Sequence, residues 1–191
     1  MYNTPSSDLQ APPPLNLDEA RRFQELLDPA ASGLCYQTFD DRGRDGRLAR
    51  TLHGSLDSLA EHLSALNRRG AGVFAAVNEM KLGCPRTTAN VIRVRALFAD
   101  SDDPVKLPDV EAAIARFGLP PSLVVESSAG RRHYYWLTND YPLEEFTAAQ
   151  KKLVATLGTD PAVCDLPRVM RVPGFYHNKG KPFLSRLVHI A

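Results

Sequence analysis

Apolar positions along residues 15–191 fall at two spacings, that of a helix and that of a strand, and polar or glycine-containing breaks separate them. Asn16, with Glu19 three residues on, has the form of a capping box and opens a helix through Leu27 that Pro29 ends. Residues 33–39 alternate as a strand, 40–47 form a charged, glycine-containing turn, and 48–53 return as the second strand of a hairpin. Leu56, Leu59, Leu63 and Leu66 recur at helical spacing behind Ser55, and Gly70 is placed to close that helix in a left-handed conformation. Strands are expected at 73–77 and 91–99, on either side of a loop over 81–90, and a short helix over 108–117 closes at Gly118. Two further strands, 123–126 and 133–137, flank a turn. An amphipathic helix covers 142–157 before Gly158, and a last strand covers 183–190. The order lacks the regular alternation of a doubly wound parallel sheet, so the class is α+β.

Composition bounds this picture. A chain of 191 residues with 43% hydrophobic positions suits one core, hence one domain over 15–191. Residues 1–14 are Pro-rich and polar, the makeup of a flexible tail. Lys plus Arg number 23 against 22 Asp plus Glu, so net charge gives no global argument for nucleic-acid binding. From Arg131 onward, however, nine Lys/Arg face five acids, and that part is locally basic. Cys35, Cys84 and Cys164 lie far apart with no Cys-x-x-Cys pair, which argues against a zinc site or a disulfide framework. No bilayer-length apolar run and no signal pattern occur, so the expected location is cytoplasmic.

Three segments carry candidate chemistry. The first is Asp100-Ser-Asp102-Asp103 at the end of the 91–99 strand. Side chains at i and i+2 of an extended chain share a face, so Asp100 and Asp102 can converge on a hard divalent cation, while Asp103 points away. An acidic turn would read the same way. A calcium loop would not, because Val105 stands where its glycine is needed. The second segment, Ser127-Ser128-Ala-Gly-Arg131-Arg132-His133, is a small turn whose amides can approach phosphate oxygens, with charged donors beside it. The third runs from Asp160 through Asp165, Arg168 and Arg171 to a Pro-Gly turn and Lys179. Taken singly, an exposed hairpin and an ion-pair network would explain the last two equally well.

In this order the segments resemble the motifs of the archaeo-eukaryotic primase superfamily, most closely its RepB-like plasmid and phage primase-polymerase branch. Asp100-Ser-Asp102 matches the paired-acid motif, Ser128 to His133 looks like the Ser…His motif, and Asp160 looks like the third metal-binding acid. Arg168-Val-Met-Arg171-Val-Pro-Gly174-Phe-Tyr-His-Asn-Lys179 is the most specific match. The resemblance implies an N-terminal α/β unit packed on an RRM-like unit, with mixed or antiparallel sheets. It implies a DNA primase/polymerase that makes or extends primers on a single-stranded DNA template from NTPs or dNTPs, using Mg²⁺ or Mn²⁺ in a two-metal mechanism. Asp100, Asp102 and Asp160 would hold the metals, with Asp165 as the alternative to Asp160. His133 would join the catalytic group. Ser128, Arg131, Arg132, His133, Arg168, Arg171 and Lys179 would contact the nucleotide. No Gly-x-x-x-x-Gly-Lys-Ser/Thr loop is present, so a replicative helicase, or a helicase domain, is the implied partner.

Two other classes stay open on sequence. A catalytically inactive single-stranded-DNA-binding module would use the basic C-terminal part, with Tyr134, Tyr135 and Trp136 as stacking platforms. A metal-dependent nuclease would use the same acids. A relaxase is excluded, since the histidines at 53, 62, 133, 177 and 189 form no His-hydrophobic-His pair.

Overall fold

The computed structural model describes residues 14–43 and 45–191, so residues 1–13 of the Pro-rich segment lie outside the described residues. The fold is α+β, and every strand pairing is antiparallel. One four-stranded sheet has the order β2-β1-β3-β8, from β1 (Leu34–Asp40), β2 (Arg50–Gly54), β3 (Ala71–Ala76) and β8 (Val169–Arg171). A five-stranded sheet has the order β11-β6-β7-β5-β4. Its strands are β4 (Glu79–Met80), β5 (Val91–Ser101), β6 (Leu123–Ser128), β7 (Arg131–Tyr141) and β11 (Arg186–Ile190). A short ribbon pairs β9 (Tyr176–His177) with β10 (Phe183–Leu184). Because β8 returns to the first sheet after the chain has built most of the second, the two sheets are stitched together in sequence.

Helices α1 (Leu17–Leu27), α2 (Leu56–Arg68), α3 (Leu107–Phe117) and α4 (Leu143–Leu157) stand close to their expected bounds. Their ends follow local chemistry: Ser55 caps α2, and Gly118 and Gly158 close α3 and α4 in the left-handed region. The capping box of α1 is only half formed. Asn16 Oδ1 accepts from the Glu19 N–H, but Glu19 Oε1 accepts instead from the Leu187 N–H at 2.7 Å, tying α1 to β11. None of the helices among the described residues is long and apolar enough to cross a membrane.

The main core lies between the sheets and includes Phe23, Tyr36, Phe98, Tyr135, Phe146 and Phe175. A second cluster, with Ala99, Val110, Tyr134, Trp136, Leu153 and Leu157, packs α3 and α4 on the other face of the five-stranded sheet. Tyr134, Tyr135 and Trp136 are each at most 5% exposed, so these aromatics are core residues and offer no stacking platform. The alternation of β7 sends them alternately into the two clusters, where their apolar area is worth more buried than presented to solvent.

Several short strands escaped the periodicity. β4, β8, β9 and β10 span two or three residues each, too few for an alternation to show. The expected strand at 48–53 begins later, because Gly46–Leu48 forms a 3-10 turn, and the expected strand at 183–190 is broken at Ser185. The turn before β7 is also tighter than the sequence suggested, only Ala129-Gly130 between Ser128 and Arg131. Gly130 has φ +69 and sits so close to Pro104 that a Cβ would approach the proline Cβ to 2.9 Å.

β5 outruns its neighbour β4, which pairs only as far as Arg93, and leaves an open edge. Side chains close it. Asn78 Oδ1 accepts from the Arg95 N–H at 3.1 Å. Gln150 of α4, fully buried, accepts from the Phe98 N–H and donates to the Phe98 and Val163 carbonyls. Replacing Gln150 with Leu strands these backbone groups in the interior, where each costs about 1–3 kcal/mol. Gln150→Leu is therefore expected to lower unfolding stability by roughly 3 kcal/mol in urea titration; a loss under about 0.5 kcal/mol, the usual range for an uninvolved surface site, would contradict this role.

Candidate active site

β5 carries Asp100 as its penultimate residue and Asp102 just beyond its end. Both border a cavity of about 140 Å³ that is also lined by Ser127, Ser128, Arg131, His133, Arg171, His177 and Lys179. Both also border a second cavity, of about 200 Å³, which adds Asp160, Thr159, Ser101 and Lys106. The acid pair thus stands between a basic cavity and one that contains a third acid. Asp160 is brought there by its own backbone, whose N–H donates to the Asp100 carbonyl at 3.2 Å. That bond continues the closing of the β5 edge that Asn78 and Gln150 begin.

The alternative third acid lies elsewhere. Asp165 is ion-paired with Arg168, which also donates to the Ala162 carbonyl. Neither residue lines either cavity. Asp103 borders the second cavity, but its Oδ1 accepts from the Val105 N–H at 2.9 Å and is engaged in the turn.

β7 sorts the two adjacent arginines. Arg131 and His133 face the basic cavity, whereas Arg132 points to the opposite face, where it is ion-paired with Glu111 beside Tyr134. Arg132, expected beside Arg131 as a nucleotide contact, thus lies on the face away from this cavity, because consecutive strand residues face opposite ways. Arg131 itself is partly engaged: Nε donates to the Asp102 carbonyl at 2.6 Å and Nη1 to Ser128 Oγ at 3.3 Å, so it braces the loop that bears Asp102. Arg171 reaches the cavity from β8 but is buried, with both terminal nitrogens on the Asp41 carboxylate.

His177 and Phe74 join the cavity without a role expected from sequence, and so does Ser127, which opens the second segment. For His177 a signal existed, since it stands two residues before Lys179 and shares its face on an extended segment.

The electrostatics are those of a buried site near neutrality. Burial, then the charges of Asp102 and Asp160, push Asp100 up to about 7, against the pull of Arg168 and Arg171. Burial chiefly, helped by Arg171 and His177, lowers His133 to about 3. Its Nε2 lies 3.6 Å from Asp100 Oδ1, too far for a hydrogen bond, and with a neutral imidazole the contact is no ion pair. His177 is lowered to about 4 by burial and by Arg171, with Asp41 opposing.

The donor chemistry suits a hard divalent cation. Asp100 Oδ1 is buried without a hydrogen-bond partner, and two neighbouring carboxylates repel its charge, a condition that a cation relieves. Among the described residues, no three His, Cys, Asp or Glu side chains already stand together as a ready-made metal cage. Mg²⁺ is in general held by one or two carboxylates together with substrate phosphates and waters.

No curated protein matches the chain. The fold is similar to the AEP domain of the primase-polymerase of cyanophage S-2L, with a TM-score of 0.75 at 20% identity over 94% of this chain and 92% of that one. It is also similar to primase RepB′ (TM-score 0.67, 18% identity), covering 91% of this chain and 56% of that one. The catalytic domain of primase RepB′ in complex with initiator DNA gives 0.63 at 19% identity, over 90% and 83% of the two chains. Residues 39–190 match the RepB DNA-primase N-terminal domain, a span that includes all three candidate segments, and the chain belongs to that family.

Proposed function

We propose that this chain is a template-dependent nucleotidyltransferase, a DNA primase/polymerase that makes or extends primers on single-stranded DNA from NTPs or dNTPs. The observation that carries the reading is the position of Asp100 and Asp102 between a basic cavity and a second cavity that holds Asp160.

The basic cavity suits a triphosphate. Ser127 and Ser128 present hydroxyls there, and Arg131 and Lys179 bring positive charge. His133 and His177, neutral at physiological pH, offer ring N–H donors or acceptors without adding charge to a confined space. Asp100, Asp102 and Asp160 would hold Mg²⁺ or Mn²⁺, which when bound supplies Lewis-acid stabilisation of the phosphoryl charge and lowers the pKa of an attacking hydroxyl. The protein's own part is positioning: β5, locked along both edges, fixes the acids, and the turn at Ala129-Gly130 places Ser128 and Arg131 opposite them. A helicase partner remains part of this proposal, since the chain carries no nucleotide-driven motor motif.

Primer synthesis on single-stranded DNA with Mg²⁺ or Mn²⁺ tests the assignment. The Asp100→Ala/Asp102→Ala variant and Asp160→Asn are each expected to lose on the order of a hundredfold or more in rate. Asp165→Asn and Asp103→Asn should stay near wild type. Equal synthesis by the double variant would overturn the reading, and a loss with Asp165→Asn but not Asp160→Asn would reassign the third acid. A cut template in the absence of nucleotides would point to a nuclease instead.

The raised Asp100 makes a separate prediction for the metal-free protein. Between about pH 4 and 7 its carboxyl is protonated in the fold but ionised in the unfolded chain, so the folded state binds more protons and stability falls as pH rises through that window. Asp100→Asn removes this loss. Metal-free Asp100→Asn is expected to exceed wild type in stability at pH 8, by on the order of 4 kcal/mol, and to approach it near pH 4. Parallel stability curves across this range would contradict the shift.

A further inference from the structure

A buried acid outside all three motifs ties down one wall of the basic cavity. Asp41 belongs to the charged turn after β1, yet its side chain is only 2% exposed. Its Oδ1 accepts from Arg171 Nη2 at 2.6 Å, and its Oδ2 accepts from Nη1 at 3.0 Å. The same Oδ2 accepts from the Asn178 backbone N–H at 2.7 Å. Asn178 stands between His177 and Lys179, both of which line the cavity. One carboxylate therefore holds a cavity arginine and the backbone amide between two other cavity residues.

The surroundings are shaped for this arrangement. Gly72 leaves the space that the pair occupies: a Cβ there would lie 2.5 Å from Arg171 Nη1 and 2.7 Å from Asp41 Oδ1. The Phe74 ring carries the guanidinium at 4.5 Å from its centroid. From the other side, Asn67 Oδ1 accepts from the Tyr176 N–H at 2.9 Å, and Asn178 Nδ2 donates to the carbonyls of Asn67 and Ala71 at 3.2 and 3.1 Å. With both terminal nitrogens engaged and the side chain buried, Arg171 is built into the wall instead of reaching freely for a phosphate.

We propose that Asp41 is a positioning residue for the nucleotide cavity: through Arg171 and the Asn178 amide, it fixes the segment from which His177 and Lys179 reach a bound triphosphate. The triphosphate rests on the function proposed above; the clamp does not. Because Asp100 is held on β5 and Asp102 just beyond its end, braced by Arg131 and not by Asp41, loosening the clamp weakens nucleotide binding more than it slows the chemical step.

Asp41→Asn keeps the shape of the side chain and removes its charge, and Gly72→Ala intrudes on the pair without altering either partner. Both are to be examined in the full chain by amide hydrogen exchange and by primer-synthesis kinetics. In each, exchange at residues 176–179 should accelerate by on the order of tenfold while residues 97–101 stay protected, and nucleotide KM should rise by roughly tenfold with kcat within about twofold. Leu153→Ala, in the apolar cluster on the far face of the sheet, supplies a destabilised control whose KM should not move. If Asp41→Asn does not fold, Gly72→Ala still supplies both readouts. Unchanged exchange at 176–179 in the folded variants would overturn the clamp. Faster exchange with unchanged KM, or an equal KM rise in Leu153→Ala, would overturn the positioning role. Absence of synthesis by the wild type would instead count against the proposed function, and the exchange result would still decide the clamp.

Discussion

The open edge of β5 is the constraint around which the rest of the molecule is arranged. A strand that continues past its partner exposes backbone donors and acceptors, and burying them unpaired would cost more than the strand's packing returns. Here the edge is closed in sequence order by Asn78 at Arg95, by Gln150 at Phe98, and by the Asp160 N–H at Asp100. The last of these bonds is also what brings a third acid to the acid pair. Satisfying the backbone and assembling the candidate site are thus one operation, and the long connection from α4 to β8 is held where it is by its part in that closure.

Electrostatics then divide the site. Asp100 is buried and pushed towards neutrality by its fellow acids, while two imidazoles in the adjoining cavity are held neutral by burial and by Arg171. The metal-free cavity therefore carries less charge than its residue types suggest. A cation beside the acids and a polyanion beside Arg131 and Lys179 each supply what the other lacks, so nucleotide and metal are expected to bind better together than either alone.

Much of this was legible in the sequence, for physical reasons that vary by residue. Helices α2, α3 and α4 announced themselves through apolar spacing or glycine closures, α1 through its cap at Asn16 and its stop at Pro29, and Asp100 with Asp102 through the two-residue period of a strand. That same period separates Arg132 from Arg131 once β7 reaches back to Arg131, but two arginines behind Ala-Gly have the makeup of a turn, which hides the strand's start. The two- and three-residue strands β8, β9 and β10 left no pattern to read, and they are the ones that bring Arg171 and His177 to the cavity. Asp41 was hidden most completely. Its neighbours are charged and glycine-containing, so the segment reads as an exposed turn, and only the pairing with a residue 130 positions away turns it inward.

The proposed metal site joins Asp100, Asp102 and Asp160. Anomalous diffraction from crystals soaked with Mn²⁺ and a non-hydrolysable nucleotide addresses it most directly. Mn²⁺ density is expected between these three carboxylates, with triphosphate density running towards Ser128, Arg131 and Lys179. Density at Asp165, or metal and triphosphate on the Arg132 face of the sheet, would contradict it.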